Sequence, residues 1–313
     1  MRIGLDIMGG DFAPEKTTKG AILAQKELAG KGIELVLIGD QPAIEKVLEE
    51  NDVDKNLFSI VHSTEIIGMG EHPIKAFKTK PKSSIGLGFQ LLKEGKIDGF
   101  AGAGNTGAMM IGSMYSVQTI SGIIRPCIMS ALPKENGGVN ILLDVGINAD
   151  CKPDVLYQFG ILGSIYAKSV LGLENPKVGL LNIGSEPEKG NLLSQATYNL
   201  MNKSEDFNFC GNIEGRDLYS DMCDVIVCDG FTGNIVIKQA ETMYHTMLSR
   251  GILDDYFSRF NYEIYGGTPV LGINSSVVVG HGISNEIAIK NMIKLTVDIT
   301  KANLSGKIKE AFT

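Results

Sequence analysis

A chain of 313 residues, of which 43% are apolar and 21% charged, has enough material for one large α/β core. Its formal charge of −7 argues against general nucleic-acid binding, because phosphate backbones are held by clustered Lys and Arg side chains. The five cysteines form no CxxC pair and the four histidines have no metal-ligand spacing, so we expect neither a disulfide framework nor a metal site.

No uninterrupted apolar run reaches the length of a membrane span, and Asp6 falls inside what would be the core of a signal peptide. We therefore expect a protein that is neither secreted nor membrane-spanning. A cytoplasmic location with reduced thiols follows from the same reasoning.

Short apolar runs that end in glycine alternate along the chain with segments of helical period. This alternation is typical of βα units that feed a parallel sheet, and it predicts an α/β, Rossmann-like fold. The predicted strands are 3–8, 34–38, 58–62, 99–103, 127–131, 139–145, 177–183 and 225–228.

Two of the intervening helices carry clear apolar stripes. One begins after Pro153 and places an apolar residue every three or four positions as far as Tyr166. The other has its stripe between Ala288 and Ile299, with Ser284 as the predicted N-cap.

No repeat or low-complexity linker divides the chain, so we predict a single domain over residues 1–313. The segment 231–282 is less regular than the rest. It begins with a predicted helix that extends to Arg250 and continues with several aromatic residues. We interpret this segment as a dimerisation or capping lobe within the domain.

Glycine-rich turns follow several of the predicted strands. In an open parallel sheet, ligands bind outside the carboxyl ends of the strands, so we expect these turns to converge on one crevice. None matches the GxGxxG dinucleotide fingerprint or the GxxxxGK[ST] phosphate loop. Free N–H groups at helix starts favour a phosphate ion instead, although each turn taken alone is explained somewhat better as an ordinary capped strand-to-helix turn. The predicted phosphate-binding residues are Gly9, Gly10, Gly104, Asn105, Thr106, Gly107, Gly184, Thr232, Gly233 and Asn234.

Lys189 is the leading candidate for a catalytic cation. It follows the strand that ends near Asn182, where an ammonium group can stabilise phosphate or a developing oxyanion. Asn182 and Asp229 complete the predicted catalytic set, although an Asp at a strand end more commonly caps a helix or forms a turn. Arg125 and His281 are further candidates, and structural pairing is the alternative explanation for each of them.

A lysine-rich stretch stands out in this otherwise acidic chain. Between Lys75 and Lys96 there are six lysines and a single acidic residue, Glu94. The stretch can dock an acidic partner, although from charge alone a solvated helix face is the more ordinary explanation. The predicted docking residues are Lys78, Lys80, Lys82 and Arg216.

Taken together and in this order, the motifs resemble the PlsX family of phosphate acyltransferases over essentially the full chain. Any one motif is weak evidence, but the ordered set is highly specific. The matching segments are 6–11 (DIMGGD), 80–84 (KPKSS), 104–108 (GNTGA), 122–126 (GIIRP), 142–146 (LLDVG), 182–186 (NIGSE), 211–217 (GNIEGRD), 229–234 (DGFTGN), 265–267 (YGG) and 281–282 (HG).

The resemblance implies a fold related to phosphotransacetylases and isocitrate dehydrogenase-like enzymes, and a homodimer that acts early in phospholipid synthesis. It also implies acyl carrier protein and inorganic phosphate as substrates, and a membrane-bound glycerol-3-phosphate acyltransferase as a partner. The resemblance also implies peripheral membrane contact. The stretch between Asn234 and Tyr265 is shorter than in relatives that carry a hydrophobic helical hairpin for this contact, so the sequence supports membrane contact less well than the resemblance does.

The implied chemistry matches what the sequence offers. Phosphate is itself the nucleophile and thiolate is a good leaving group, so neither a catalytic triad nor a cofactor is expected. The acyl chain needs an apolar channel, and the adaptable side chains of Met109, Met110 and Met114 are the candidates, with ordinary core packing as the alternative. The lysine-rich stretch would then attract the acidic carrier protein.

Three alternative functions stay open at this point. A phosphotransacetylase that uses acyl-coenzyme A would have the same requirements for phosphate. A non-catalytic scaffold that recruits lipid enzymes is possible for a dimeric protein. A nicotinamide-dependent oxidoreductase is disfavoured because the dinucleotide fingerprint is missing.

Overall fold

The computed structural model describes every residue from Met1 to Thr313. The strands are β1 (Arg2–Asp6), β2 (Glu34–Gly39), β3 (Ser59–His62), β4 (Gly99–Gly102), β5 (Cys127–Pro133), β6 (Val139–Leu143), β7 (Lys177–Leu181), β8 (Asn208–Ile213), β9 (Val225–Val227), β10 (Thr268–Leu271) and β11 (Ser276–Val279). The helices are α1 (Glu15–Leu28), α2 (Gln41–Glu50), α3 (Pro73–Thr79), α4 (Ser84–Lys93), α5 (Thr106–Gly112), α6 (Pro153–Ser169), α7 (Leu192–Met201), α8 (Gly230–Ser249), α9 (Asp255–Ser258), α10 (Tyr262–Tyr265), α11 (Glu286–Lys301) and α12 (Leu304–Ala311). The predicted α/β class is confirmed.

The chain forms two compact units. The first unit comprises Met1–Thr119 and Tyr262–Ser305, and the second comprises Ile120–Asn261 and Gly306–Thr313. The single-domain assignment and the dimerisation role of segment 231–282 stay predictions.

In the first unit the strands follow the order β3-β2-β1-β4-β11-β10. All neighbours are parallel except β10, which runs antiparallel to β11. The carboxyl ends of β1, β4 and β11 therefore lie at one edge of the sheet, where the turns that follow these strands come together.

Small residues bring the helices of the first unit close to its sheet. Gly88 of α4 lies directly against the ring of Phe100, whose centroid is 5.1 Å from that of Phe89 in an edge-to-face arrangement. Gly20 of α1 packs against Ile289 of α11. Both phenylalanine rings are completely buried, and burial of each one stabilises the fold by roughly 2 kcal/mol.

In the second unit the order is β5-β6-β9-β7-β8, and only β5 is antiparallel to its neighbour. Helix α6 starts at Pro153, one residue before the predicted start, and its apolar stripe from Val155 to Tyr166 is buried. The carboxyl ends of β6, β9 and β7 share one edge, which carries the turns that precede α8 and α7.

The sheet differs from the predicted one in several places. Strands β8, β10 and β11 were not predicted, because Asn and Gly interrupt β8, a proline stands in β10, and β11 has only four residues in a region read as irregular. The antiparallel strands β5 and β10 correct the expectation of a purely parallel sheet. The N-cap of α11 is Asn285 and not Ser284, because the Asn285 side chain accepts the N–H groups of Ile287 and Ala288.

Candidate active site

Two glycine-rich turns of the first unit meet at the carboxyl ends of β1 and β4. A Cβ atom on Gly9 would lie 2.5 Å from the Gly104 nitrogen, and a Cβ on Gly104 would overlap the Gly9 backbone. Gly10 has a φ of +97°, a conformation that favours glycine. The Asp11 N–H donates to the Gly282 carbonyl at 2.7 Å, so the turn after β11 contacts the turn after β1 as well. The structure thus brings Gly9, Gly10 and Gly104 together.

Asn105 at the start of α5 acts as a structural cap. Its Oδ1 accepts the Ala108 N–H at 3.0 Å, while its Nδ2 donates to the carbonyls of Gly68 and Glu71 at 2.9 and 3.0 Å. The side chain has no further donor for a ligand. The N–H groups of Thr106 and Gly107 have no acceptor in the first turn of the helix, so the predicted anion donors here are backbone groups.

Asp6 is a buried carboxyl beneath these turns. Its Oδ1 accepts the Met8 N–H at 3.0 Å, whereas its Oδ2 has no hydrogen-bond partner. Burial raises the pKa of Asp6 to about 6, although the nearby Ser84 hydroxyl and the N–H groups of Met8 and Gly9 favour the ionised form and oppose the rise. Asp6 therefore changes charge near physiological pH, directly under the Gly9 turn.

Asp144 has the corresponding position after β6 in the second unit. Its carboxylate accepts the backbone N–H groups of Ile128, Ile147 and Asn148 at 3.1, 3.1 and 2.6 Å. Burial raises the pKa of Asp144, and these hydrogen bonds oppose the rise. The carboxylate organises the turn 144–148, so the role of Asp144 in this structure is to order the backbone.

Helix α8 begins against this turn. The Gly230 N–H donates to the Asn148 carbonyl at 2.7 Å, and a Cβ on Gly230 would lie 2.7 Å from Asp144 Oδ2. A Cβ on Gly233 would overlap the Asp144 carbonyl oxygen. Glycine at both positions lets the positive end of a 20-residue helix sit directly beside the end of β6.

Asp229 is the N-cap of α8. Its side chain accepts the Thr232 N–H at 2.7 Å, and its carbonyl accepts the Gly233 N–H at 3.0 Å. The backbone N–H groups of Thr232 and Gly233 therefore already donate to Asp229 and are not free to bind a ligand. The predicted phosphate contacts of Thr232 and Asn234 must come from their side chains, and Asn234 is exposed.

A pocket of about 280 Å³ opens between the starts of α7 and α8. Asn191 caps α7 by accepting the Ser194 N–H at 2.8 Å, which leaves the Leu193 N–H without an acceptor. Two helix N-termini therefore face one cavity, and both carry partial positive charge. The polar residues of the lining are Asn182, Asn191, Ser194, Asp229 and Thr232.

Lys189 lies in the loop between β7 and α7, next to Gly190 of the pocket wall. The Asn182 Nδ2 donates to the Lys189 carbonyl at 3.1 Å, and the Lys189 side chain runs along Gly184. Lys189 is exposed and forms no ion pair. Of the predicted catalytic residues, Asn182 and Asp229 line the pocket directly, and Lys189 is held beside it.

Two of the predicted docking residues form ion pairs within the chain, and two do not. Lys80 pairs with Glu71 at 2.5 Å and donates to the Ile66 carbonyl, and Arg216 pairs with Glu214 at 2.6 Å. Lys78 and Lys82 are exposed and have no ion-pair partner. The latter two present their ammonium groups to solvent.

The predicted acyl-channel methionines are mostly packed. Met109 and Met110 are buried in the first unit, where the Met109 sulfur lies under Gly102, and only Met114 is well exposed. A hydrocarbon chain would have to displace Met109 and Met110 from the core. Two further candidates remain. Arg125 donates a hydrogen bond to the Asp150 carbonyl, and the His281 ring lies 4.9 Å from the Tyr262 ring in a tilted arrangement.

Sequence reasoning missed three polar residues of the second unit, Asn148, Asn191 and Ser194. Asn191 could have been found, because it directly precedes the apolar residues Leu192 and Leu193 as an N-cap does. The role of Asn148 depends on contact between the turns after β6 and β9, which no local pattern reveals.

No helix is both long and apolar enough to cross a membrane. No group of three or more His, Cys, Asp or Glu side chains is arranged to hold a metal ion.

Comparison with known proteins identifies the family. Residues 1–250 match the family described as fatty acid synthesis protein. A phosphate acyltransferase from Dictyoglomus thermophilum is 42% identical over 332 aligned positions, which cover 100% of this chain and 98% of that protein. A phosphate acyltransferase from Desulforamulus reducens is 43% identical, over 99% of this chain and 97% of that protein. The chain belongs to this family.

The fold of this chain is similar to that of solved phosphotransacetylase structures. EutD phosphotransacetylase from Staphylococcus aureus superimposes with a TM-score of 0.64 at 15% identity, and a phosphotransacetylase from Streptococcus pyogenes with 0.66 at 16%. Each match covers 96% of this chain and 94% of the other. The predicted relation to the phosphotransacetylase fold is confirmed.

Asp6→Asn should change how stability depends on pH. Because folding raises the Asp6 pKa, the folded protein binds this proton more tightly than the unfolded chain, so wild-type stability falls as pH rises from about 4 to about 6. The raised pKa corresponds to a loss of roughly 3 kcal/mol in the free energy of unfolding of the wild-type protein over this pH range. The amide variant should not show this loss. Urea unfolding of both proteins between pH 4 and pH 8 measures this difference. Parallel curves for the two proteins would show that Asp6 does not titrate in this range.

Proposed function

We propose that this protein transfers a fatty acyl group from acyl carrier protein to inorganic phosphate, forming acyl phosphate early in phospholipid synthesis. The names of its relatives and of its family support this reaction. The observation that carries the proposal is the pocket at the starts of α7 and α8, where two positive helix ends face one small cavity.

The pocket has the donors that a small anion needs. The free Leu193 N–H and the Thr232 hydroxyl can donate to phosphate oxygens in the field of both helix ends, whereas the Ser194 hydroxyl already donates to Asn191 Oδ1 at 3.0 Å. In the first unit, the N–H groups of Thr106 and Gly107 at the start of α5 are donors of the same kind. We keep both sets in the proposed phosphate-binding residues.

The reaction needs little acid–base help. A phosphate oxygen attacks the thioester carbonyl carbon, and a C–O bond forms as the carbonyl oxygen becomes an oxyanion. When the tetrahedral intermediate collapses, the C–S bond breaks and the thiol leaves as thiolate, whose conjugate acid has a pKa of about 8.5. The protein's task is to position the anion and to stabilise the oxyanion.

Lys189 is the cation that we assign to the oxyanion. It is exposed, unpaired and adjacent to the pocket wall, so its ammonium group is available to a substrate. Asn182 fixes the Lys189 backbone, and Asp229 caps α8. We therefore assign positioning roles to Asn182 and Asp229.

The proposal includes the partners that the family resemblance implies. We propose a cytoplasmic homodimer whose product passes to a membrane-bound glycerol-3-phosphate acyltransferase. Phe231 and Ile235 of α8 are large apolar side chains exposed in the single chain, which supports a covered surface in the dimer.

The activity is tested with hexadecanoyl-acyl carrier protein and orthophosphate, and the acyl phosphate is trapped with hydroxylamine as the hydroxamate. We expect hydroxamate only when both phosphate and acyl carrier protein thioester are present. Preference for hexadecanoyl-coenzyme A would favour a phosphotransacetylase instead. If neither donor gives product, the protein is not an enzyme of this class.

Lys189→Ala should lower turnover at least tenfold, about 1.4 kcal/mol of transition-state stabilisation, without unfolding the protein. Lys203→Ala is the matched control, because Lys203 is an exposed lysine of the same unit that is not part of the pocket lining. Steady-state kinetics and thermal unfolding of both variants measure the effect. Equal activity of the two variants would remove Lys189 from the site.

Reversal of charge at Lys78 and Lys82 tests carrier docking. The double variant Lys78→Glu/Lys82→Glu should raise the KM for acyl carrier protein severalfold and leave kcat nearly unchanged, because these unpaired lysines would attract an acidic partner. The increase should shrink at high salt. Lys307→Glu serves as the control, and a KM equal to that of this control would reject the docking surface.

A further inference from the structure

Helix α8 connects the proposed acyl-transfer pocket to a second, apolar cavity of the same unit. This cavity has a volume of about 320 Å³, within the range of ligand pockets. Its lining is mainly aromatic and aliphatic, and Glu135 is the only charged residue in it. Neither the proposed phosphate site nor the carrier-docking surface uses this cavity.

One face of α8 runs between the two cavities. Thr232 lines the first cavity, and Gln239, Met243 and Met247 line the second. Together with Val236, these residues follow one another at spacings of three or four, so they share one face of the helix. The axial distance from Thr232 to Met243 is about 16 Å, which a long acyl chain can reach and a short one cannot.

The far wall of the cavity is built from fixed aromatic rings. Phe260 contacts Tyr219 and Tyr256 at centroid distances of 5.2 and 5.5 Å. The Tyr256 hydroxyl donates to the Pro133 carbonyl at 3.3 Å, and Arg259 donates to the Lys134 carbonyl at 2.8 Å. These bonds hold α9 beside the β5–β6 connection, so the wall is in place without a ligand.

The opposite wall is adaptable. Met243 and Met247 are flexible, polarisable side chains that can conform to a hydrocarbon, and Met243 is still 45% exposed although it lines the cavity. Burial raises the pKa of the Tyr219 phenol, as expected for a ring in apolar surroundings. An exposed methionine opposite packed aromatic rings leaves room for an apolar guest.

We propose that this cavity binds the distal part of the substrate's hydrocarbon chain, so that α8 measures acyl-chain length. The inference rests on the proposed function, since it places the thioester at the start of α8 and the chain along the face from Thr232 to Met247. It also assigns the chain to the second unit instead of to the packed Met109 and Met110 of the first.

Kinetics provide the first test. Met243→Trp fills the cavity, so it should lower kcat/KM for hexadecanoyl-acyl carrier protein at least tenfold and for octanoyl-acyl carrier protein less than threefold. Leu248→Trp is the matched control, because Leu248 is an exposed residue of the same helix outside the cavity lining. It should leave both values within twofold of wild type. Equal losses with the two donors would overturn the proposal.

Fluorescence gives a test that does not depend on activity. The chain contains no tryptophan, so Phe257→Trp places a single reporter in the cavity wall. Its emission should be quenched saturably by 16-bromohexadecanoate and not by hexadecanoate, because the bromine at the chain end would reach it. The Leu248→Trp reporter should not be quenched. Absence of quenching at Trp in position 257, or equal quenching in the control, contradicts the proposal.

The outcomes separate this inference from the proposed function. If no acyl phosphate forms with any chain length, the proposed function fails, and the quenching experiment still decides whether the cavity binds a hydrocarbon. If acyl phosphate forms but neither quenching nor chain-length preference depends on the cavity, only the inference fails. If Met243→Trp instead dissociates a dimer and leaves chain-length preference unchanged, the occupant is a second copy and the inference is overturned.

Discussion

The architecture depends on buried carboxyl groups that lie at the ends of central strands and organise the backbone of the turns above them. Asp6 has this position after β1, and Asp144 has it after β6. A carboxyl removed from water needs hydrogen-bond donors. Asp144 accepts three main-chain N–H groups, whereas Asp6 accepts the Met8 N–H through Oδ1 and its Oδ2 has no partner. Each turn is thereby held in one conformation at the edge where parallel strands end.

Glycine makes this arrangement possible. Gly9 and Gly104 touch through their backbones in the first unit, and Gly230 and Gly233 press α8 against the Asp144 turn in the second. A side chain at any of these positions would separate the elements. The close approach sets helix starts, with their unpaired N–H groups, beside the ends of the strands, and an anion-binding surface is the chemical result.

The sequence was sufficient for the parts of the site that obey local rules. The α/β alternation and the capping role of Asp229 both follow from short patterns, and the predicted start of α6 is within one residue of the observed one. The family could be recognised because ten such motifs occur in a fixed order, and the comparisons confirm that recognition.

Other features depend on contacts between distant segments and could not be predicted from local patterns. The Thr232 and Gly233 N–H groups are used by Asp229, so the anion donors at this turn are different atoms from the expected ones. The pairing of Lys80 with Glu71 likewise depends on how the chain before α3 folds back on it. Strand β10 was not predicted because it contains a proline, and β11 was not predicted because it has only four residues. Pairing with neighbouring strands stabilises both of them.

We propose that the phosphate that attacks the thioester is held by the free Leu193 N–H at the start of α7 together with the start of α8. A titration of the isotopically labelled protein with orthophosphate, followed by amide nuclear magnetic resonance, tests it most directly. We expect saturable shifts of the amide signals of Leu193 and Phe231, which are the second residues of α7 and α8, and of Ser194, which is the neighbour of Leu193. These shifts should be larger than those at exposed amides elsewhere in the second unit. Unchanged signals at these three residues, in a preparation that forms acyl phosphate, would contradict it.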